Sequence, residues 1–271
     1  MQGLCYIFNL SFINFSNCRV FAKPKAPNLR LWEEWILSKW KTGRREGYFP
    51  SAAERALAGV REALAAYLHR CGEGAERAWA YGALREFCNL SSLLETATPR
   101  PVWPGACIGA AADAAVILAA AGGYRLEAGL DPAPAGPVLL DAAALRTAFF
   151  NLVGNACRHA SDGAARLRVT YREGKCRIAV TNRAGGYPSA ALGLAAARAA
   201  ACRLSGSLRM LACGGRLTAA LIFPLRPSAA QPVTEIPNLV EYLGNPFSPA
   251  YIGLADLGYI PGCAGGKRSI Y

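Results

Sequence analysis

Residues 151–159, Asn-Leu-Val-Gly-Asn-Ala-Cys-Arg-His, set two amides four positions apart inside an apolar helical pattern. Leu145, Phe149, Leu152, Val153 and Ala156 recur at helical spacing, so the sequence predicts a helix over 142–160 with one buried stripe. Asp141 stands where an N-cap belongs. Asn151 and Asn155 lie beside the stripe, and Arg158 and His159 follow Asn155 by three and four residues. All four therefore line one edge of one helix face. Asparagine is a mediocre helix former, so two of them in mid-helix need a reason. Their oxygens could ligate Mg²⁺ while Arg158 holds phosphate oxygens. Equally, both could cap neighbouring backbone groups or face solvent, and spacing alone leaves both readings open.

The flanking sequence has an α+β rhythm. A helix is expected over about 104–121, then strands at 124–128 and 137–140. Beyond the 142–160 helix, residues 166–171 and 176–182 alternate around Arg172-Glu-Gly-Lys175 and predict a hairpin. A turn-rich stretch, 183–189, leads to a helix over 190–204 with Gly206 just past its end. A second hairpin is expected from 207–213 and 216–225 around Gly214-Gly215. This pattern predicts an antiparallel sheet covered by helices on one face. Upstream, 51–71 and 75–97 read as two helices broken at Gly72-Glu-Gly74, an antiparallel hairpin with Leu84, Phe87, Cys88, Leu90 and Leu94 in its second apolar stripe. Residues 1–50 are basic and aromatic, and 227–271 show no periodicity, which predicts an irregular tail.

The stretch 151–160 resembles the asparagine box of the histidine-kinase ATPase family. Val180-Thr-Asn182-Arg-Ala-Gly-Gly186-Tyr-Pro188 resembles its first glycine box, and Leu192-Gly193-Leu194 the end of its second. Leu204-Ser-Gly206-Ser-Leu208 and 214–224 resemble its closing motifs. The resemblance covers about 99–226. It implies a two-layer α/β sandwich of the Bergerat type, preceded by a dimerisation hairpin at 51–98. It also implies that Asn155 ligates Mg²⁺ on ATP phosphates, that Asn151 assists, that Arg158 contacts phosphate and that His159 walls the pocket. Asn182 would read adenine, and Gly186, Gly193 and Leu194 would belong to the glycine boxes.

The chain departs from that pattern in several places. Asn182 replaces an acid, Ala184 replaces a glycine, and few residues separate Gly186 from Leu192 where the family has a long lid. His69, at the end of its helix with no acid following it, is a poor phosphoacceptor. The resemblance thus implies an ATP- and Mg²⁺-binding, histidine-kinase-like signalling protein, possessing the parts of a degenerate sensor kinase. Two alternatives stand beside it: a non-catalytic interaction module, or an anti-sigma-type serine kinase that sequesters a regulatory partner. Expected partners are a second copy of the chain and a response regulator or sigma-factor-like protein.

Composition bounds these readings. The chain has 271 residues, 53% hydrophobic and 18% charged, too apolar for a disordered polypeptide. Its net charge is +12, but outside the basic stretch Arg19–Arg45 the basic residues are dispersed along the sequence and not interleaved with aromatics, so no nucleic-acid partner is expected. The ten cysteines form no CxxC and there are two histidines, which argues against a zinc site and for a reducing, cytoplasmic setting. The Ala- and Gly-rich run 106–123 carries Asp113 and is expected to be a core helix, not a membrane span.

Overall fold

A computed structural model describes residues 75–184, 192–232 and 238–258. Residues 1–74, with the expected first hairpin helix and His69, lie outside the described residues, as does Gly186. The chain opens with α1 (Ala75–Ser92), β1 (Arg100–Val102), α2 (Pro104–Ala121), β2 (Arg125–Leu130) and β3 (Val138–Leu140). Then come α3 (Ala142–Arg158), β4 (Ala164–Arg172), β5 (Lys175–Arg183), α4 (Leu192–Arg203), β6 (Ser207–Cys213) and β7 (Arg216–Pro224). It closes with β8 (Arg226–Pro227), α5 (Leu239–Gly244), α6 (Pro249–Gly253) and a 3₁₀ turn at Ala255–Leu257.

The main sheet has the order β2-β4-β5-β7-β6. Both expected hairpins are present, β4–β5 and β6–β7, and β5 pairs antiparallel with β7. The sheet is mixed, however, where the sequence predicted an antiparallel one: β2 runs parallel to β4. The reason is the connection, because α3 lies between the two strands and a helical crossover returns the chain in the same direction. The strand expected at 137–140 joins a separate small sheet, β1-β3-β8.

Alternation decides which face of the main sheet is covered. Leu167 and Val169 of β4, Ile178 and Val180 of β5, and Leu221 and Phe223 of β7 are buried. Their neighbours Arg166, Arg168 and Arg177 are exposed. This period of two puts α2, α3 and α4 on one face and leaves the other open. α2 starts at Pro104, which needs no helical N–H partner there, and buries Cys107, Ile108, Ala112 and Leu118. Among the described residues it is the helix long and apolar enough to cross a membrane, and half of it is buried within the fold.

A third layer covers the outer side of these helices. The irregular tail expected for 227–271 is corrected over 239–257, which fold into two short helices and a turn. Asn238 and Glu241 form a reciprocal capping box on α5, and Ser248 caps α6 ahead of Pro249. Tyr242, Tyr251, Ile252, Leu254 and Leu257 are buried there. Tyr242 meets Phe150 of α3 edge-to-face, with centroids 5.8 Å apart. Gly253 rests against the same ring, where an added Cβ would lie 2.5 Å from Phe150 Cβ. The segment also holds α1, whose Tyr81 hydroxyl donates to Pro246 O at 2.8 Å.

A buried ionic cluster fastens α1 to the domain from the other end. Arg203, at the last turn of α4, donates to Asp141 Oδ2 at 3.1 Å and Oδ1 at 3.3 Å. It also pairs with Glu95 and donates to Ser92 O at 3.4 Å, at the end of α1. Asp141 caps α3 as expected, accepting from Ala144 N–H at 2.9 Å, and accepts a further bond from Thr98 N–H at 3.3 Å. Burial alone would raise its carboxyl pKa. The Ala144 N–H and the Arg203 guanidinium outweigh that and hold it below the usual carboxylate range.

Candidate functional site

α3 carries the asparagines because its apolar stripe is wedged between the sheet and the outer layer, with Leu145, Phe149, Leu152, Val153 and Ala156 all buried. This fixes the rotation of the helix and sends Asn151 and Asn155 to different surroundings. Asn155 is half-buried and borders a small cavity beneath the start of α4. Asn151 is 9% exposed and points elsewhere: its Nδ2 donates to Asn89 Oδ1 of α1 at 2.7 Å and to Thr147 O at 2.9 Å. Asn151 is expected to assist at a phosphate site, and in this structure it is engaged away from the cavity. Its amide joins α1 to α3. Gly193 belongs to the same junction, since a Cβ on it would lie 2.4 Å from Asn151 Oδ1. Any larger residue at 193 would displace the Asn151 amide oxygen from this junction.

The cavity is bordered by Asn155, His159 and Ala156 of α3 and its cap, by Val180 and Asn182 of β5, and by Leu194 of α4. Met210 and Leu217 close it from β6 and β7. Four expected site residues, Asn155, His159, Asn182 and Leu194, thus meet at one place from three separate motifs. Arg158 does not border the cavity; its Nη2 donates to Asn155 Oδ1 at 2.7 Å, a contact between residues three apart on one helix. Asn182 is buried on the covered face of the sheet, and its Nδ2 donates to Arg183 O at 3.3 Å.

In chemistry this donor set suits a nucleotide. Asn155 offers an uncharged oxygen to a hard cation, and Asn182 offers an amide to a base edge. In volume it does not: the cavity is about 20 Å³, room for about one water, where ligand sites run to several hundred. The guanidinium of Arg158 also occupies one side of the Asn155 oxygen. Among the described residues no cluster of three His, Cys, Asp or Glu could hold a metal. Any Mg²⁺ would therefore depend on phosphate and water oxygens, with Asn155 supplying one ligand. No cysteine borders the cavity among the described residues.

Asn89, Met210 and Leu217 were not expected at the site. Asn89 had a signal available, a buried-register polar residue one helical turn beyond Arg85 and two beyond Tyr81. On α1 the buried positions include Tyr81, Leu84, Asn89 and Ser92, while Phe87 and Leu90 of the expected stripe are half-buried, as is Leu94 just past the helix end.

No family model and no curated protein matches the chain. Among solved structures it is similar to full-length ShkA in complex with AMPPNP, at 18% identity over 65% of this chain and 47% of that one, TM-score 0.49. The match thus spans about half the length of ShkA. The Acinetobacter baumannii histidine kinase AdeS matches at 13% identity over 63% of this chain and 96% of its own, TM-score 0.46. The histidine kinase domain of the Erythrobacter litoralis blue-light-activated kinase EL346 matches at 20% identity over 63% and 94%, TM-score 0.42.

Proposed function

We propose that this chain is a signalling module built on a histidine-kinase-like ATPase domain, with its nucleotide cleft held nearly shut. The observation that carries this reading is the convergence of Asn155, His159, Asn182 and Leu194 on one cavity between α3, α4 and β5. ATP with Mg²⁺ is the ligand class that suits an amide ligand, an amide base-reader and a glycine-started helix together. Entry of a purine requires the cavity to widen, and Leu194 and Met210 are the side chains that would have to yield. The chain would act with a second copy of itself through residues 51–98 and with a regulatory protein partner.

A second reading, a non-catalytic interaction module, is favoured by the engagement of Asn151 with Asn89 and by the small cavity. Thermal unfolding with and without Mg·ATP separates the two. At ten times its Kd, a bound nucleotide stabilises by about 1.4 kcal/mol, or roughly 3–6 °C in Tm for a domain of this size. The wild type is expected to gain that shift with Mg²⁺ present, and Asn155→Ala is expected to lose its Mg²⁺-dependent part. An unmoved wild-type Tm at millimolar Mg·ATP establishes the interaction module instead.

Widening the cavity gives the complementary result. Met210→Ala removes one wall at a half-buried position, for a cost below the roughly 2–5 kcal/mol of a fully buried methionine. Its Mg·ATP shift is expected to exceed that of the wild type. An equal or smaller shift in the variant would mean that side-chain closure is not what limits entry.

A further inference from the structure

The open face of the main sheet is more basic than the linear sequence suggests, because strand pairing gathers residues that lie far apart in the chain. On β4 the outward positions are Arg166, Arg168, Thr170 and Arg172. On β5 they are Lys175, Arg177, Ala179, Thr181 and Arg183. Register then sets Arg216 opposite Arg183, Thr218 opposite Thr181 and Ala220 opposite Ala179, with Arg209 of β6 beside Ala220. Acids on or beside the strands of this side are few and engaged, while Glu173 is exposed in the β4–β5 turn between Arg172 and Lys175. Glu127 pairs with Arg125 and Arg166, Asp131 with Arg168, and Asp162 approaches Arg183 at 3.8 Å. Arg172, Arg177, Arg209 and Arg216 have no carboxylate partner among the described residues.

Two features say that this charge is retained against stability. Arg183 faces Arg216 directly across the ladder, and Arg172 faces Lys175 at the other end of β5. Like charges directly opposite one another destabilise a sheet. Arg183 and Arg216, with Ser161 and the Gly214-Gly215 turn, also border an open cleft of about 600 Å³ that would admit an anionic group.

We propose that this sheet face docks the phosphate backbone of double-stranded nucleic acid, without reading its sequence. The centre of the face is Ala179, Ala220 and the hydrogen-bonded hydroxyl pair Thr181–Thr218. Ala179 and Ala220 are themselves 6% exposed, and Leu211 of β6, opposite Thr218, is the large apolar side chain standing out on this face at 65% exposure. No aromatic ring points outward among the described residues of β4 to β6, so the face lacks both the stacking platform that single strands need and the aromatic anchor typical of a protein interface. With one exposed apolar side chain among this many guanidinium groups, its attraction comes chiefly from charge, and release of condensed counterions from a duplex supplies that. The dimensions agree. β5 from Lys175 to Arg183 is roughly 27 Å long and the four strands β4 to β6 span roughly 14 Å. A duplex carries roughly sixteen phosphates over that length, on the order of half of them facing one side.

The test is fluorescence anisotropy of a labelled 20-base-pair duplex with the full chain, across a salt series. Wild-type affinity is expected to fall steeply with salt, with a log–log slope near −4 to −7 at about 0.9 per phosphate contacted. Arg177→Glu/Arg209→Glu/Arg216→Glu should lose at least tenfold in affinity, and its slope should shallow by about 3. Circular dichroism and Tm check its fold. The Gln triple variant, which removes charge without reversing it, replaces it if that fold is lost. Arg44→Glu/Arg45→Glu, in the basic N-terminal stretch, should retain the sheet-dependent part. If that variant loses all binding while the sheet triple loses none, the proposal is overturned. It is overturned too if polyglutamate of equal charge competes as well as unlabelled duplex, which would identify an acidic protein surface as the occupant. Asn155→Ala should bind duplex like the wild type, so failure of the nucleotide reading leaves this result readable.

Discussion

Tyr242→Ala is expected to destabilise the protein by about 3–5 kcal/mol, the range for truncating a large aromatic in a core. Its ring is fully buried, packs edge-to-face on Phe150, and lies in a stretch whose sequence lacks any helical period. For a domain of this size that cost lowers Tm by roughly 6–20 °C. Removal of residues 238–271 should do more, because it also uncovers Phe150 and the α1 face held by Tyr81. Thermal unfolding by circular dichroism checks both. A change under 2 °C for Tyr242→Ala would mean that residues 239–257 do not belong to the folded core.

Arg203→Met should be comparably damaging, at about 3–5 kcal/mol, because it strands the Asp141 carboxylate in a site 1% exposed. The double variant Arg203→Met/Asp141→Leu should recover part of that loss, since no charge is then left uncompensated, though the α3 cap is forfeited at about 1 kcal/mol. The pH dependence has a definite sign. Asp141 has a folded pKa below its unfolded value of about 3.9, so its contribution is fully present above that pH and is lost as pH falls through the folded pKa. The gap between wild type and Arg203→Met should therefore be widest near neutrality and narrow below about pH 3.9. A gap that stays constant across that range would remove Asp141 from the account.

The elements that the sequence made legible are those long enough to display a period. The 17-residue α3, the Asp141 cap, and the β4–β5 and β6–β7 hairpins follow from spacing and from Gly at their turns. What escaped was set by tertiary context. β2 alternates weakly and its direction is fixed by the crossover, not by its own residues. α5 and α6 have six and five residues, too short for a stripe, and their one local signal is the capping chemistry of Asn238, Glu241 and Ser248. At the site, spacing placed Asn151 and Asn155 on one edge of α3, but one turn of helix separates them by about 6 Å along the axis. That was enough for α1 to claim the first and leave the second at the cavity. Spacing also could not reveal cavity size, which depends on Leu194 and Met210 arriving from other elements.

The hydrogen bond from Tyr81 to Pro246 joins residues 165 positions apart. During synthesis α1 emerges well before the segment that seats it. At ribosomal rates of about 5–20 residues per second, that helix must wait roughly 8–33 seconds for its cover. The cover from residues 239–257 is missing throughout that interval, and a nascent chain with α1 exposed is the species on which a chaperone or a second nascent copy would act.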